Sequence, residues 1–278
     1  MANHYEKRIL RVLEHMHTNP AGDLSLDALA EVAAMSRFHW HRVFRTMTGE
    51  TCAQAVRRIR MHRAACWLVQ TDWPIPEVAR RCGYPGLTSF SRTFRAAFGV
   101  PPGQFRQNGS LRLPPVPRKS GDPIMFDIDV TTHPAQRLAA IAHTGPYVEI
   151  GRAFETLSAL CTSRNLWPQV RALLGIYYHD PDSTPAEELR SHAAVALAPG
   201  TEIGDVFEEL VTEAGKVAVL RFKGPYSGLK PAYDYLYGTW LPQSGEEPRN
   251  APCYEIYLNT PQDTAPEDLV TEICLPLK

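Results

Sequence analysis

Arginine, histidine and hydroxyl side chains recur in two stretches of this 278-residue chain in a pattern that can read a nucleic acid. The first runs Ser36-Arg37-Phe38-His39-Trp40-His41-Arg42-Val43-Phe44-Arg45 and closes at Gly49. The second runs Leu87-Thr88-Ser89-Phe90-Ser91-Arg92-Thr93-Phe94-Arg95 and closes at Gly99. An arginine fork makes two parallel hydrogen bonds to guanine, a histidine nitrogen donates or accepts, and an aromatic ring packs on a thymine methyl. A third candidate lies near the other end. Glu255, in Cys253-Tyr254-Glu255-Ile256-Tyr257-Leu258, is a carboxylate in an apolar strand pattern. Among aromatic rings such a charge suits a hydrophobic cation.

The basic stretches need helices with an apolar back and a polar front. In the first, Trp40, Val43, Phe44 and Met47 fall on one side of a helix expected from Arg37 to Met47. Phe38, His41, Arg42 and Arg45 fall mostly on the other. Ahead of it, Ile9, Leu10, Val12, Leu13 and Met16 form a first helical stripe. Ser25 is expected to cap a helix carrying Leu26, Leu29, Ala30 and Ala33, and Ser36 to cap the next. In the second unit Ile75, Val78, Ala79 and Cys82 make a short helix, with Gly83 as its C-cap. Leu87 to Ala97 make the second basic helix, with Phe90, Phe94 and Phe98 inward.

A longer helix from Cys52 to Gln70 joins the two units. Its apolar side is expected to hold Ala55, Val56, Ile59, Ala65, Cys66 and Val69. Arg57, Arg58, Arg60 and Arg63 give it a cationic side, read as solvated or facing phosphates. About 18 helical residues span about 27 Å. Adding the widths of the units puts two basic helices roughly one DNA turn, about 34 Å, apart.

These residues resemble the AraC/XylS family of bacterial transcription regulators, and within it the MarA/Rob branch, over roughly residues 5–107. The resemblance includes Ala64–Leu68, Gly83-Tyr84, Phe90-Ser91-Arg92-Thr93-Phe94 and Gly99-Val100-Pro101-Pro102-Gly103-Gln104-Phe105-Arg106. It implies base-edge contacts from Phe38, His41 and Arg42 in the first helix, and from Leu87, Thr88, Ser89 and Arg92 in the second. It also implies RNA polymerase as a partner. Leu87 stands where a polar residue is more usual, and Pro85 is unusual in its turn.

Charge divides the chain in the same sense. Residues 1–120 hold 18 of the 29 lysines and arginines but 8 of the 30 acidic residues. The basic part suits a polyanion and the acidic remainder does not. Six cysteines lie scattered without a CxxC pair and read as reduced thiols. His39 and His41 have no third ligand at metal-site spacing, and no Ser-His-Asp set stands out. No metal and no cofactor are expected. The start, Met1-Ala2-Asn3-His4, is not that of a signal peptide, and no run of apolar residues is long enough to span a membrane. A cytoplasmic protein is expected. Asn108 to Pro123, rich in Pro, Gly and charge, reads as a tether.

Beyond the tether the chain repeats itself. Gly145-Pro146-Tyr147 recurs as Gly224-Pro225-Tyr226, Ala153-Phe154 as Ala232-Tyr233, and Ile176-Tyr177 as Ile256-Tyr257. Each copy reads strand, Gly-Pro-Tyr, helix, strand, proline turn, strand. One copy is small to hold a core alone. Two copies side by side give one antiparallel sheet with two helices on one face and a cleft between the halves. Alternation puts Ile256 and Leu258 on one side of their strand, and Cys253, Glu255 and Tyr257 on the other. If the helices cover the Ile256 side, Glu255 points into the cleft, where the first copy has Gly175. Tyr147, Tyr177, Tyr226, Tyr257, Trp167 and Trp240 are the expected aromatic walls.

This half resembles the GyrI-like effector-binding domain over roughly residues 124–278. The carrying stretch is Tyr254 to Asn259, followed by Pro266-Glu267-Asp268-Leu269-Val270-Thr271-Glu272-Ile273-Cys274-Leu275-Pro276-Leu277. The resemblance implies a small-molecule sensor with its pocket carboxylate at Glu255.

The expected architecture is two domains. Residues 1–107 form an all-α double helix-turn-helix, 108–123 a linker, and 124–278 an α+β domain with a duplicated antiparallel sheet, two helices and a central cleft. The expected function is sequence-specific binding of double-stranded DNA by a monomer, controlled by a hydrophobic or cationic small molecule, without catalysis. Two alternatives stay open: a constitutive DNA binder whose second domain docks proteins, and a GyrI-like hydrolase using Glu255 as general base.

Overall fold

A computed structural model of the chain describes residues 4–108 and 125–278. The expected tether lies outside the described residues except for Asn108. The described residues fall into two compact units, one on each side of that gap.

In the first unit, α1 (His4–Thr18) buries Tyr5, Ile9, Val12 and Met16. Leu10, expected in this stripe, is 62% exposed: it lies one residue past Ile9, and a helix turns neighbours about 100° apart. The Ser25 hydroxyl accepts the Ala28 N–H at 3.3 Å and caps α2 (Leu26–Ala33). Ala34, with φ of 52°, makes the tight turn that follows. The next helix, α3 (Trp40–Thr48), begins three residues later than expected. Ser36 engages the backbone, but its hydroxyl accepts from Phe38 N at 3.3 Å and its carbonyl from His39 and Trp40, which makes residues 37–39 a turn.

Helix α4 (Cys52–Gln70) opens on a reciprocal cap in which Thr51 and Gln54 satisfy each other's backbone N–H, worth about 1 kcal/mol. It serves two cores. Cys52, Ala55, Val56 and Ile59 pack with α1–α3 around Trp40 and Phe44. Met61, Ala64, Ala65 and Leu68 pack with α5 (Ile75–Arg81), α6 (Leu87–Phe98) and α7 (Pro102–Asn108) around Phe90, Phe94 and Phe105. Val69 is exposed and Cys66 half-buried, because the buried stripe shifts to another side of α4 between its two ends. Cys82, not the expected Gly83, caps α5, and Gly83 follows one residue later in the left-handed region at φ +77°.

The second unit is one eight-stranded antiparallel sheet in the order β1-β6-β8-β7-β3-β4-β2-β5. Its strands are β1 (Ile128–His133), β2 (Gln136–Thr144), β3 (Val170–Tyr177), β4 (Arg190–Leu197), β5 (Glu208–Thr212), β6 (Gly215–Lys223), β7 (Cys253–Tyr257) and β8 (Val270–Pro276). Adding four to each first-copy strand reproduces the same order read backwards, so the copies are related by a pseudo-twofold axis between β3 and β7. The matched contacts agree: Gly145 N–H donates to Leu189 O and Gly224 N–H to Leu269 O, both at 2.9 Å. The first strands are exchanged, since β1 pairs with β6 and β5 with β2. Each copy therefore completes the other's sheet. Helix α8 (Gly151–Ser163) lies on one face through Ala153, Leu157 and Cys161, packed against Ala139, Ala193 and Val195. Its counterpart α9 (Leu229–Tyr235) runs on through a π-helical turn, Leu236–Trp240, into α10 (Leu241–Ser244). The other face holds Leu138, Leu174, Ile176, Tyr254 and Cys274, with Ile256 beside them.

Candidate effector cleft and nucleic-acid interface

The pseudo-twofold axis sets the position of Glu255. Across β3 and β7, Gly175 is directly paired with Glu255, and Tyr177 and Tyr257 follow two residues later on their strands. Gly175 is also paired with Ala193, which packs under α8. Glu255 therefore lies on the face that the helices cover. The condition on which Glu255 was placed in a cleft, helices over Ile256, is thus not met: the carboxylate lies under the helices at the junction of the two halves. Curling of the sheet lets its helix-free face bury Ile176 and Leu174 as well, so both faces are apolar.

Glu255 is 4% exposed. Its Oε1 accepts the Tyr233 hydroxyl from α9 and its Oε2 the Tyr257 hydroxyl, each at 2.8 Å. The Tyr177 and Tyr257 hydroxyls lie 2.7 Å apart. Since Tyr257 gives its one proton to the carboxylate, Tyr177 donates to Tyr257. The result is a directed chain across the axis, Tyr177 to Tyr257 to Glu255. Burial first, and then the Glu255 charge, push both phenols well above their usual range, so they remain neutral donors. The same two causes raise Tyr226.

Ring contacts enclose this chain. Tyr147 meets Tyr177 edge-on at 4.9 Å, and its repeat counterpart Tyr226 meets Tyr257 at 5.3 Å. Phe154 of α8 meets Tyr257 at 5.5 Å. Of the expected walls, Tyr147, Tyr177, Tyr226 and Tyr257 converge on Glu255. Trp167 does not: it is 43% exposed, and its indole N–H donates to Thr162 at the end of α8. Trp240 is half-buried at the end of the π-helical turn and makes no hydrogen bond or ring contact to this cluster among the described residues. Phe154 and Tyr233 take their place. Both were visible only as matched positions of the repeat.

On the first unit, α6 presents Leu87 (45% exposed), Thr88 and Arg92 outward, while Ser89 is half-buried and donates to Gly86 O at 2.9 Å. Phe90 and Phe94 anchor the opposite side. The α3 face differs from expectation. Phe38 and Arg45 are half-buried, and His41 and Arg42 are buried at 6% exposure each. Helical phase gives a side chain's direction, whereas exposure depends on everything packed over it. The cationic side of α4 is also largely engaged. Arg58 pairs with Glu50, Arg60 donates to Pro20 O at 2.7 Å, and Arg63 donates to His17 O at 2.8 Å. Arg57 remains exposed.

No group of three or more metal-ligating side chains occurs among the described residues, and none of their helices is long and apolar enough to cross a membrane. All six cysteines are free thiols.

Two helix-turn-helix heads on one unit, and a duplicated sheet with a buried carboxylate among tyrosines on the other, define a DNA-binding transcription regulator with a ligand-binding domain. The chain belongs to the GyrI-like family: residues 126–278, more than half of it, match the profile of the GyrI-like small molecule binding domain. Residues 29–108 match a helix-turn-helix domain of AraC type. Among curated relatives, a DNA gyrase inhibitor of Yersinia enterocolitica is 33% identical over 129 residues, covering 45% of this chain and 81% of that protein. "Probable transcription factor PqrA" of Proteus vulgaris is 31% identical over 111 residues, covering 40% of this chain and 90% of its own. Multiple antibiotic resistance protein MarA of Salmonella typhimurium is 32% identical over 95 residues, covering 34% and 75%.

Proposed function

We propose that this cytoplasmic regulator senses a hydrophobic cation in the Glu255 cleft and reads DNA as a monomer with two heads. The observation that carries the effector reading is a buried carboxylate ringed by Tyr147, Phe154, Tyr177, Tyr226, Tyr233 and Tyr257. Removing an aromatic cation from water costs less than removing a compact one, and ring faces together with one fixed negative charge compensate it. Because both Glu255 oxygens already accept phenol hydroxyls, the group offers charge more than a free site for a proton. That favours binding over general-base hydrolysis.

The DNA contacts proposed are Phe38, His41, Arg42 and Arg45 from α3, and Leu87, Thr88, Ser89 and Arg92 from α6. Use of His41 and Arg42 requires that they become exposed. The effector then alters transcription by RNA polymerase, and no catalytic step is assigned.

Calorimetric titration of the full chain tests the effector reading. Methyltriphenylphosphonium should bind more tightly than neutral triphenylphosphine oxide. Glu255→Gln should weaken the cation by about 1–3 kcal/mol and leave the neutral compound nearly unchanged. Equal affinities for the two compounds, or a cation affinity untouched by the substitution, would overturn it.

A further inference from the structure

Arg60 occupies the middle of α4, which packs into both cores of the first unit. Its Nε donates to Pro20 O at 2.7 Å, in the turn that leads into α2. Its guanidinium lies 5.9 Å from the centre of the Tyr84 ring, in the turn between α5 and α6. Tyr84 in turn packs edge-on against Phe90 of α6 at 5.7 Å. Between these contacts sits Gly83. A Cβ built there would stand 2.8 Å from both Arg60 Nη2 and Pro20 O. The approach is therefore open only to glycine, doubly so because φ is +77°. One planar guanidinium thus touches both the loop that leads into the first head and the turn within the second.

From this geometry we infer that Arg60 is a positioning residue: it sets the separation and rotation of the two DNA-reading heads, and so selects the spacing between the half-sites they bind. The inference rests on the two-headed reading proposed above. Each base pair inserted between half-sites moves the second by about 3.4 Å and turns it by about 35°. A rigid pair of heads rejects that change, and a loosely joined pair tolerates it. Arginine fits this task better than lysine. Its fork can hold a carbonyl with one edge while its plane lies against a ring, whereas an ammonium acts as a single point. The common alternative for a cation on such a helix is a DNA phosphate contact, and the two roles leave different signatures. A phosphate contact changes the salt slope and is indifferent to spacing. A spacer changes the spacing preference.

The test begins with a duplex selected from random DNA by the full-length protein, then adds the same duplex with one base pair inserted between the half-sites. Wild type should prefer the parent by about 10- to 100-fold, the scale of one lost base contact. Arg60→Met, which keeps the apolar stem, should reduce that preference to about threefold or less on the same scale. Arg60→Lys keeps the charge and protects against a variant that fails to fold. It should retain the wild-type salt slope while losing most of the preference. A wild-type preference retained in both variants overturns the role, as does a preference that survives while the salt slope of Arg60→Met falls by about one phosphate contact. If wild type itself ignores the insertion, the two-headed reading fails and this inference fails with it.

Discussion

Gly175 and Glu255 face one another across the central strand pair, at matched positions of the two repeats. One copy supplies no side chain there and the other supplies a buried carboxylate. The missing side chain is as important as the charge. A Cβ at 175 would lie 2.6 Å from the Tyr257 hydroxyl and 2.9 Å from the Tyr177 ring. The tyrosines therefore join hydroxyl to hydroxyl over Gly175, and through that junction the first repeat reaches the carboxylate of the second.

Gly175→Ala should break the Tyr177–Tyr257 contact by displacing one or both rings. Overpacking of this kind costs about 1–3 kcal/mol. Denaturant unfolding of the full chain should show that loss, and cation binding should weaken with it. A variant as stable as wild type, with unchanged cation affinity, would mean that the rings relax freely and the cleft is not preorganised.

Acid should weaken the second helix-turn-helix through Glu77. Hydrogen bonds from Arg80 and then Arg81 hold its carboxyl down at about 2, against an ordinary 4.5. A carboxylate with a lowered folded pKa adds stability above its unfolded value and loses it as pH falls through the folded one. The window thus runs from about pH 4.5 down to about 2. Circular dichroism over that range should show a shallower acid dependence for Glu77→Gln than for wild type. The group is half-buried at the surface, where solvent screens it, so the difference should be small, and identical profiles would remove Glu77 from the acid response.

Local signals were enough for some elements and empty for others. The span of α4 was legible because no Gly or Pro interrupts Cys52 to Gln70, whereas the side it buries near its end was not, because its two ends serve different cores. Both edge strands escaped notice because β1 and β5 expose most of their residues, which leaves no apolar alternation to read. The phase of Glu255 with Tyr257 was legible from alternation. Which face the helices covered was not, since a curled sheet buries apolar residues on both. Aromatic type alone misplaced Trp167, because nothing in a short helical turn says where its indole points. Phe154 and Tyr233 could have been found from the repeat, as the two helical positions one turn into matched helices.

The helix α7 carries weight out of proportion to its length. Phe105 is buried and packs edge-on against Phe94 at 5.2 Å. Arg106 donates to Leu68 O at 3.1 Å and Trp73 O at 2.6 Å, which ties the end of α4 to the start of α5. Phe105→Ala should cost about 3–5 kcal/mol, the scale of a buried phenylalanine. A fragment ending at residue 101 should lose salt-sensitive DNA binding, whereas one ending at 108 should keep it. Stable DNA binding by the shorter fragment would place the domain boundary before α7.

The arginines of the first unit should separate into three behaviours on DNA. Arg92 is exposed on α6 with the Phe90–Phe94 core behind it, the arrangement needed to reach a base edge. Arg92→Ala should cost about 1–3 kcal/mol on the selected duplex and relax preference at one base pair. Arg42→Ala should do the same on the other half-site, provided that the buried guanidinium emerges on binding. Arg57 is exposed on α4. Its substitution should weaken all duplexes evenly and lower the salt slope by about 0.9. Arg58 should affect neither slope nor preference directly, because it is spent on Glu50, whose side chain is 5% exposed. Arg58→Ala should instead lower the melting temperature by leaving that carboxylate without its ion-pair partner. Fluorescence anisotropy across salt concentrations and across single-base variants of the duplex distinguishes the three. Equal losses for Arg92→Ala on specific and random DNA would reassign Arg92 from bases to phosphates.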